Sequence, residues 1–114
     1  MAGEDIKGHL DAMLLAVIAD GPVHGYAVVE QLRARSGGRF DLPEGTVYPA
    51  LHRLEADGLL RSSWTVANGR RRRQYELTDR GRAELGERSA DWRRFAAAVE
   101  SVLGASAPLG LGTT

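Results

Sequence analysis

Four consecutive arginines, Arg70 to Arg73, follow an Asn68-Gly69 pair in a chain of 114 residues whose formal charge cancels to zero. Guanidinium forks bind phosphates and base edges bidentately, so the chemistry such a block offers is recognition of a polyanion. The neutrality conceals segregation. Residues 1–60 hold five basic and nine acidic side chains, a balance of −4, whereas residues 61–73 hold five arginines and no acid, a balance of +5. Residues 74–114 return to −1. A local basic block points to a nucleic acid or another acidic partner more strongly than the overall charge does. On its own, an arginine run fits a solvated loop equally well, so its place among the structural elements must decide.

Other chemistry is thinly supplied. The chain has no cysteine, which removes disulfides, thiolate metal sites and thiol nucleophiles. Its three histidines, His9, His24 and His52, are too scattered to share a metal ion. Asp5, Asp11 and Asp20 read as solvent-exposed carboxylates, and no serine stands in a nucleophile elbow or a phosphate loop. Neither catalysis nor a cofactor or metal is expected. No apolar run approaches the roughly 18 residues of a membrane helix. The opening MAGEDIKGHL is acidic and polar, unlike a secretory signal, so a cytoplasmic protein without membrane attachment is expected.

A chain of this length folds as one domain. Leu10, Met13, Leu14, Val17 and Ile18 recur at helical spacing, with Ile6 and Leu15 on a second apolar face, before Gly21-Pro22 stops the helix. A second helix fits HGYAVVEQLRARSGG, with Tyr26, Val29 and Leu32 inward and Gly37-Gly38 as terminator. A third fits GTVYPALHRLEADG, with Val47, Leu51 and Leu54 on its buried face and Gly58 closing it. Pro49 lacks an N–H and suits a first helical turn, so this helix is expected to start near Thr46, with Thr46 or a near neighbour as cap. That phase sends Tyr48, Pro49, His52 and Arg53 outward.

The hydrophobic period then shortens to two. Ser62, Trp64 and Val66 alternate with Arg61, Ser63 and Thr65, and Arg73, Tyr75 and Leu77 alternate with Arg72, Gln74 and Glu76. Asn68-Gly69 between the two runs is the strongest short-range hairpin signal. The arginine block therefore occupies the tip and return strand of a hairpin, where at most half of it can face a core. Trp64 reads as the core of that hairpin. Thr78 or Asp79 can cap a last helix that runs to about Leu103. Along it Leu85, Trp92 and Val99 repeat every seven residues, as do Arg88, Phe95 and Val102, a seam expected to be covered by a second copy. The closing GASAPLGLGTT has no periodicity and reads as a disordered tail.

Helix, helix, helix, hairpin is the order of a winged helix-turn-helix. The expected fold is mostly α with a β-hairpin wing, organised as residues 1–78 for DNA binding, 79–103 as a C-terminal dimerisation helix and 104–114 as tail. In such folds the third helix enters a major groove about 12 Å wide and the wing lies on the neighbouring backbone or minor groove. Double-stranded DNA becomes the expected partner. Arg70, Arg71, Arg72 and Arg73 would neutralise phosphates and supply affinity independent of sequence. The third helix would supply specificity: Thr46, Tyr48 and His52 toward phosphates or base edges, Pro49 against thymine methyls, and Arg53 toward phosphate or guanine. Glu44, just ahead of the helix, could accept from cytosine. The competing class is a dimeric protein-interaction module without sequence-specific DNA binding, which leaves the four arginines unexplained. Trp92 at the seam reads either as plain dimer core or as a ligand platform.

EGTVYPALHRLEADGLL followed by GRRRRQYELTDRG resembles the PadR family of bacterial transcriptional regulators. That family is marked by a Tyr-Pro recognition helix, a Leu-Glu-x-x-Gly-Leu exit and an Arg-rich wing ending in Tyr-x-Leu-Thr-x-x-Gly. HGYAVVEQL resembles the family's second helix, and the likeness runs from residue 6 to residue 103. The single C-terminal helix resembles the short subfamily, whose members dimerise through their last and first helices. The resemblance implies a homodimeric repressor on a pseudo-palindromic operator. It further implies a planar aromatic or cationic small-molecule effector at the dimer interface, against Trp92, with Leu10, Met13, Phe95 and Val99 around it. Ala96, Ala97 and Ala98 depart from that pattern, since a last helix small on several faces would narrow or close a pore between subunits.

Overall fold

Leu14, Leu15 and Ile18 on the first helix, Val28 on the second, Val47, Leu51 and Leu54 on the third and Leu60 beneath the hairpin are the large side chains most fully withdrawn from water. Each such burial contributes on the order of 1.5–3 kcal/mol, and together they gather the elements around one core. The structure is a computed structural model that describes the backbone of residues 2–105 and the side chains of residues 9–104. Helix α1 spans Ala2–Ile18, strand β1 Val23–His24, α2 Gly25–Arg35, α3 Glu44–Ala56, β2 Leu60–Ala67, β3 Arg70–Leu77 and α4 Asp79–Ala105. This is the mostly helical winged fold that the hydrophobic periods predict. Among the described residues no helix is long and apolar enough to cross a membrane.

The hairpin is anchored at both ends. At its tip Asn68 (φ 56°) and Gly69 (φ 74°) are both left-handed, the type I′ geometry whose twist matches paired strands. At its base Leu60 pairs with Leu77, both buried. The short strand β1, which no hydrophobic period announces, joins the other edge of β3 through Val23–Tyr75 and His24–Gln74, giving the antiparallel order β1-β3-β2. Two residues are too few for alternation to register. The pairing nevertheless ties the return strand of the wing to the start of α2.

Helix α3 begins at Glu44, two residues earlier than Pro49 suggests. Thr46 is therefore not the cap: its N–H donates to the Pro43 carbonyl at 2.9 Å, inside the first turn. Pro49 sits within the helix, where it removes one hydrogen bond on an exposed side. The helix closes with Gly58 (φ 81°), whose N–H reaches the Glu55 carbonyl at 3.0 Å while Leu59 N–H reaches Leu54 at 3.0 Å. This paired ending turns the buried Leu59 back onto the core.

Thr78 caps α4. Its Oγ1 accepts from Gly81 N–H at 3.0 Å and donates to the Gly58 carbonyl at 2.7 Å. Helix α4 continues to Ala105, past the expected end at Leu103, and the remainder of the expected tail, 106–114, lies outside the described residues.

Three side chains fall elsewhere than their periodicity suggests. Tyr26, expected inward, is 53% exposed, and Val28 holds the core position on α2 instead. Trp64, expected in the hairpin core, is 54% exposed, because the outer half of the hairpin runs beyond the helices. Asp11, expected in solvent, is buried.

Candidate functional site

Helix α3 and the wing face each other across a concave groove of about 460 Å³. Glu44, Tyr48 and His52 line it from α3, His24 and Tyr26 from the start of α2, and Arg70 to Arg73 with Tyr75 from β3. Tyr48 and His52 are one helical turn apart and so share this face. Tyr48 is half-buried because its ring packs on Gly25, where a Cβ would meet the ring's Cε1 at 3.3 Å. Burial, and then the charge of Glu44, raises the Tyr48 hydroxyl above its ordinary pKa of 10.0. Burial likewise raises Tyr75, although the nearby Arg73 pulls the other way. Both remain neutral hydrogen-bonding groups well past neutral pH. Thr46, Pro49 and His52 are exposed.

The strand register sorts the wing arginines onto two faces. Trp64 pairs with Arg73 and Val66 with Arg71 on one face, while Thr65 pairs with Arg72 and Ala67 with Arg70 on the other. Arg73 is braced. Its Nε donates to Ser62 Oγ at 3.0 Å, that hydroxyl donates to Glu55 Oε2 at 2.7 Å, and Arg73 itself comes to 3.9 Å from Glu55. This chain of interactions joins the wing to α3. Arg70, Arg71 and Arg72 are exposed and have no carboxylate partner among the described residues.

Arg53 corrects the outward placement that helical phase assigns it. Its two terminal nitrogens donate to the two carboxylate oxygens of Asp11, each at 2.9 Å. That bidentate bond raises the guanidinium's already high pKa further. Arg88 on α4 lies 3.9 Å from the same carboxylate and donates to Glu84 at 2.6 Å. With its side chain only 8% exposed, Asp11 thus joins α1, α3 and α4. A signal was present in the sequence: Asp11 precedes Leu15 by four residues and Ile18 by seven, which aligns it with two apolar side chains of α1.

A second groove, of about 640 Å³, lies between α1, the connection from α2 to α3, and α4. Leu10, Met13, Phe40, Trp92 and Phe95 are among its lining residues. The His9 ring meets Trp92 edge-on with centroids 5.1 Å apart, and Phe95 lies 6.0 Å from Trp92. Of the five residues expected together here, Leu10, Met13, Trp92 and Phe95 are brought together, while Val99 lies further along α4 and outside the groove. Phe40 and Leu42 also line it, and sequence reasoning missed them because a connection between helices carries no periodicity. Beyond the groove α4 leaves Val102 and Leu103 exposed. No group of three His, Asp or Glu residues able to hold a metal occurs among the described residues.

Comparison with known proteins agrees with this arrangement. The chain is 48% identical over 86 residues to Transcriptional regulator Rv3488 of Mycobacterium tuberculosis, covering 75% of each chain. Its structure is similar to that of a PadR family transcriptional regulator from Eggerthella lenta, with TM-score 0.75 and 32% identity over 90% of this chain and 88% of that one. A PadR family transcription regulator from Clostridium difficile gives TM-score 0.75 and 30% identity over 83% of this chain and 98% of that one. Residues 14–87, which include α3 and the whole arginine wing, match the transcriptional regulator PadR-like family. The chain belongs to the PadR-like family of transcriptional regulators.

Proposed function

We propose that the chain acts as a homodimeric DNA-binding repressor on a pseudo-palindromic operator. The observation that carries this reading is the groove between α3 and the wing, lined by Arg70, Arg71, Arg72 and Arg73 together with Tyr48 and His52, in which Arg70, Arg71 and Arg72 have no carboxylate partner among the described residues. With α3 in a major groove about 12 Å wide, a wing on this scale falls on the adjacent phosphates. The wing arginines neutralise phosphate and supply affinity without sequence preference. Thr46, Tyr48, Pro49 and His52 meet base edges and thymine methyls. Arg53, committed to Asp11, holds α3 in place rather than reading a base, and Arg73 mainly fixes the wing against Glu55.

The exposed apolar run of Trp92, Phe95, Val99, Val102 and Leu103 supports a second copy packed along α4. The groove at Trp92 supports a planar hydrophobic effector. Bound there, it would shift the two recognition helices away from the roughly 34–36 Å separation of successive major grooves and so relieve repression.

Salt titrations of a labelled duplex with variants test this division of labour. Arg70→Ala and Arg72→Ala are expected to weaken all duplexes alike, reducing the slope of log affinity against log salt by about 0.9 for each phosphate no longer neutralised. Tyr48→Phe and His52→Ala are expected to weaken the operator more than random duplex, by about 1–3 kcal/mol for each base-edge interaction removed. Wing variants that alone relax sequence preference would refute the division. A dimer with no salt-dependent affinity for any duplex would instead be the protein-interaction module.

A further inference from the structure

Trp64 sits where a small fold gains little by placing a tryptophan. The residue is 54% exposed, in a hairpin whose base is already packed by Leu60, Tyr75 and Leu77. What the ring touches is charge. The guanidinium carbon of Arg71 lies 4.6 Å from its centre and that of Arg73 5.2 Å. The register dictates this: Trp64 directly opposes Arg73, and Arg71 is the diagonal neighbour, within reach of a long side chain on the same face. Residues 61–73 contain no acid, so these like charges otherwise repel and sample many rotamers. The electron-rich face of an indole attracts both cations and opposes that splaying. Arg73 is also held by Ser62 and Glu55, whereas the Arg71 side chain has no hydrogen-bonding or carboxylate partner among the described residues.

We propose that Trp64 is a positioning residue for DNA contact, whose ring holds the Arg71 guanidinium ready for a phosphate. A guanidinium held against an aromatic face keeps edge N–H donors available for bidentate binding. Part of the rotamer entropy that phosphate binding must otherwise remove is then gone already in the free protein. Arg70 and Arg72 point to the opposite face of the hairpin, where no aromatic ring lies against them among the described residues. Arg71 therefore contributes more to duplex affinity than either of them. The inference rests on the DNA-binding reading above.

The test uses the full chain with operator and scrambled duplexes across salt. Trp64→Leu is expected to weaken both duplexes by roughly three- to tenfold, with a shallower salt slope, and Trp64→Phe to restore most of the affinity. Combined with Arg71→Ala, Trp64→Leu should cost nothing further. A ring that serves only the fold would lower the melting temperature and weaken Arg71→Ala as well. Unchanged affinity and slope in Trp64→Leu, or effects that add to those of Arg71→Ala, would overturn the proposal. Should Trp64→Leu not fold, Arg71→Lys keeps the charge but loses the flat stacked group, and is expected to weaken binding comparably; wild-type binding by Arg71→Lys would overturn it. Failure of the wild-type chain to bind any duplex would remove the DNA-binding reading and this inference together. Wild-type binding with an indifferent Trp64→Leu removes only this inference.

Discussion

A single absent methyl group decides how the C-terminal helix meets the winged domain. At Gly81 a Cβ would stand 2.1 Å from the Leu59 carbonyl oxygen, far inside van der Waals separation. The same carbonyl accepts from Thr78 N–H at 3.1 Å, so it cannot retreat without releasing the residue that caps α4. Gly81→Ala should destabilise the fold by about 1–3 kcal/mol, measured by urea unfolding. Gly86→Ala, one helical stretch later with open space around it, should stabilise by about 0.5–1 kcal/mol. Equal effects at the two positions would show that the close approach is not what Gly81 serves. At this scale the sequence tells which side of an element a residue occupies but not which partner it finds. Arg53 follows Pro49 by one turn and shares its nominal side, yet its long side chain reaches round to Asp11. Trp64 shares its face with Ser62 as alternation predicts, but the part of the hairpin it occupies has outrun the core.

At the scale of elements, the buried Asp11 carboxylate is the joint between α1, α3 and α4. Replacing it removes the bidentate acceptor of Arg53 and the carboxylate 3.9 Å from Arg88. Asp11→Asn is expected to lose about 1–3 kcal/mol of stability, seen as a lower denaturant midpoint. It should also loosen α3, and so reduce operator preference more than affinity for random duplex. A variant as stable and as selective as the wild type would refute the joint. The helices and the hairpin are legible in the sequence because each buries a stripe whose period is its own, 3.6 or 2. Strand β1 is not, since two residues carry no period. The early start of α3 is not either: Pro49 argues for Thr46, but the helix tolerates one missing hydrogen bond on its exposed side, and Glu44 suits the positive end of the helix dipole.

As a whole the chain is elongated, with extents of 60 × 27 × 26 Å, and it leaves the distal apolar face of α4 uncovered. That shape and the charge segregation support the same reading: a cationic reading surface at one region and a self-association surface at another. The proposed DNA-facing chemistry is legible in the sequence because it is local, four arginines beside a Tyr-Pro helix. An effector is not legible, because in the proposed dimer its pocket would depend on how closely two copies of α4 pack around Trp92 and the Ala96-Ala97-Ala98 stretch. The most direct measurement is the mass and affinity of complexes between the full chain and a duplex it selects from a random pool, beside a scrambled duplex, from about 50 to 200 mM salt. The account predicts two chains per selected duplex and a preference over scrambled DNA that persists as salt rises. Single-chain complexes, or weak binding to both duplexes that disappears together with salt, would contradict it.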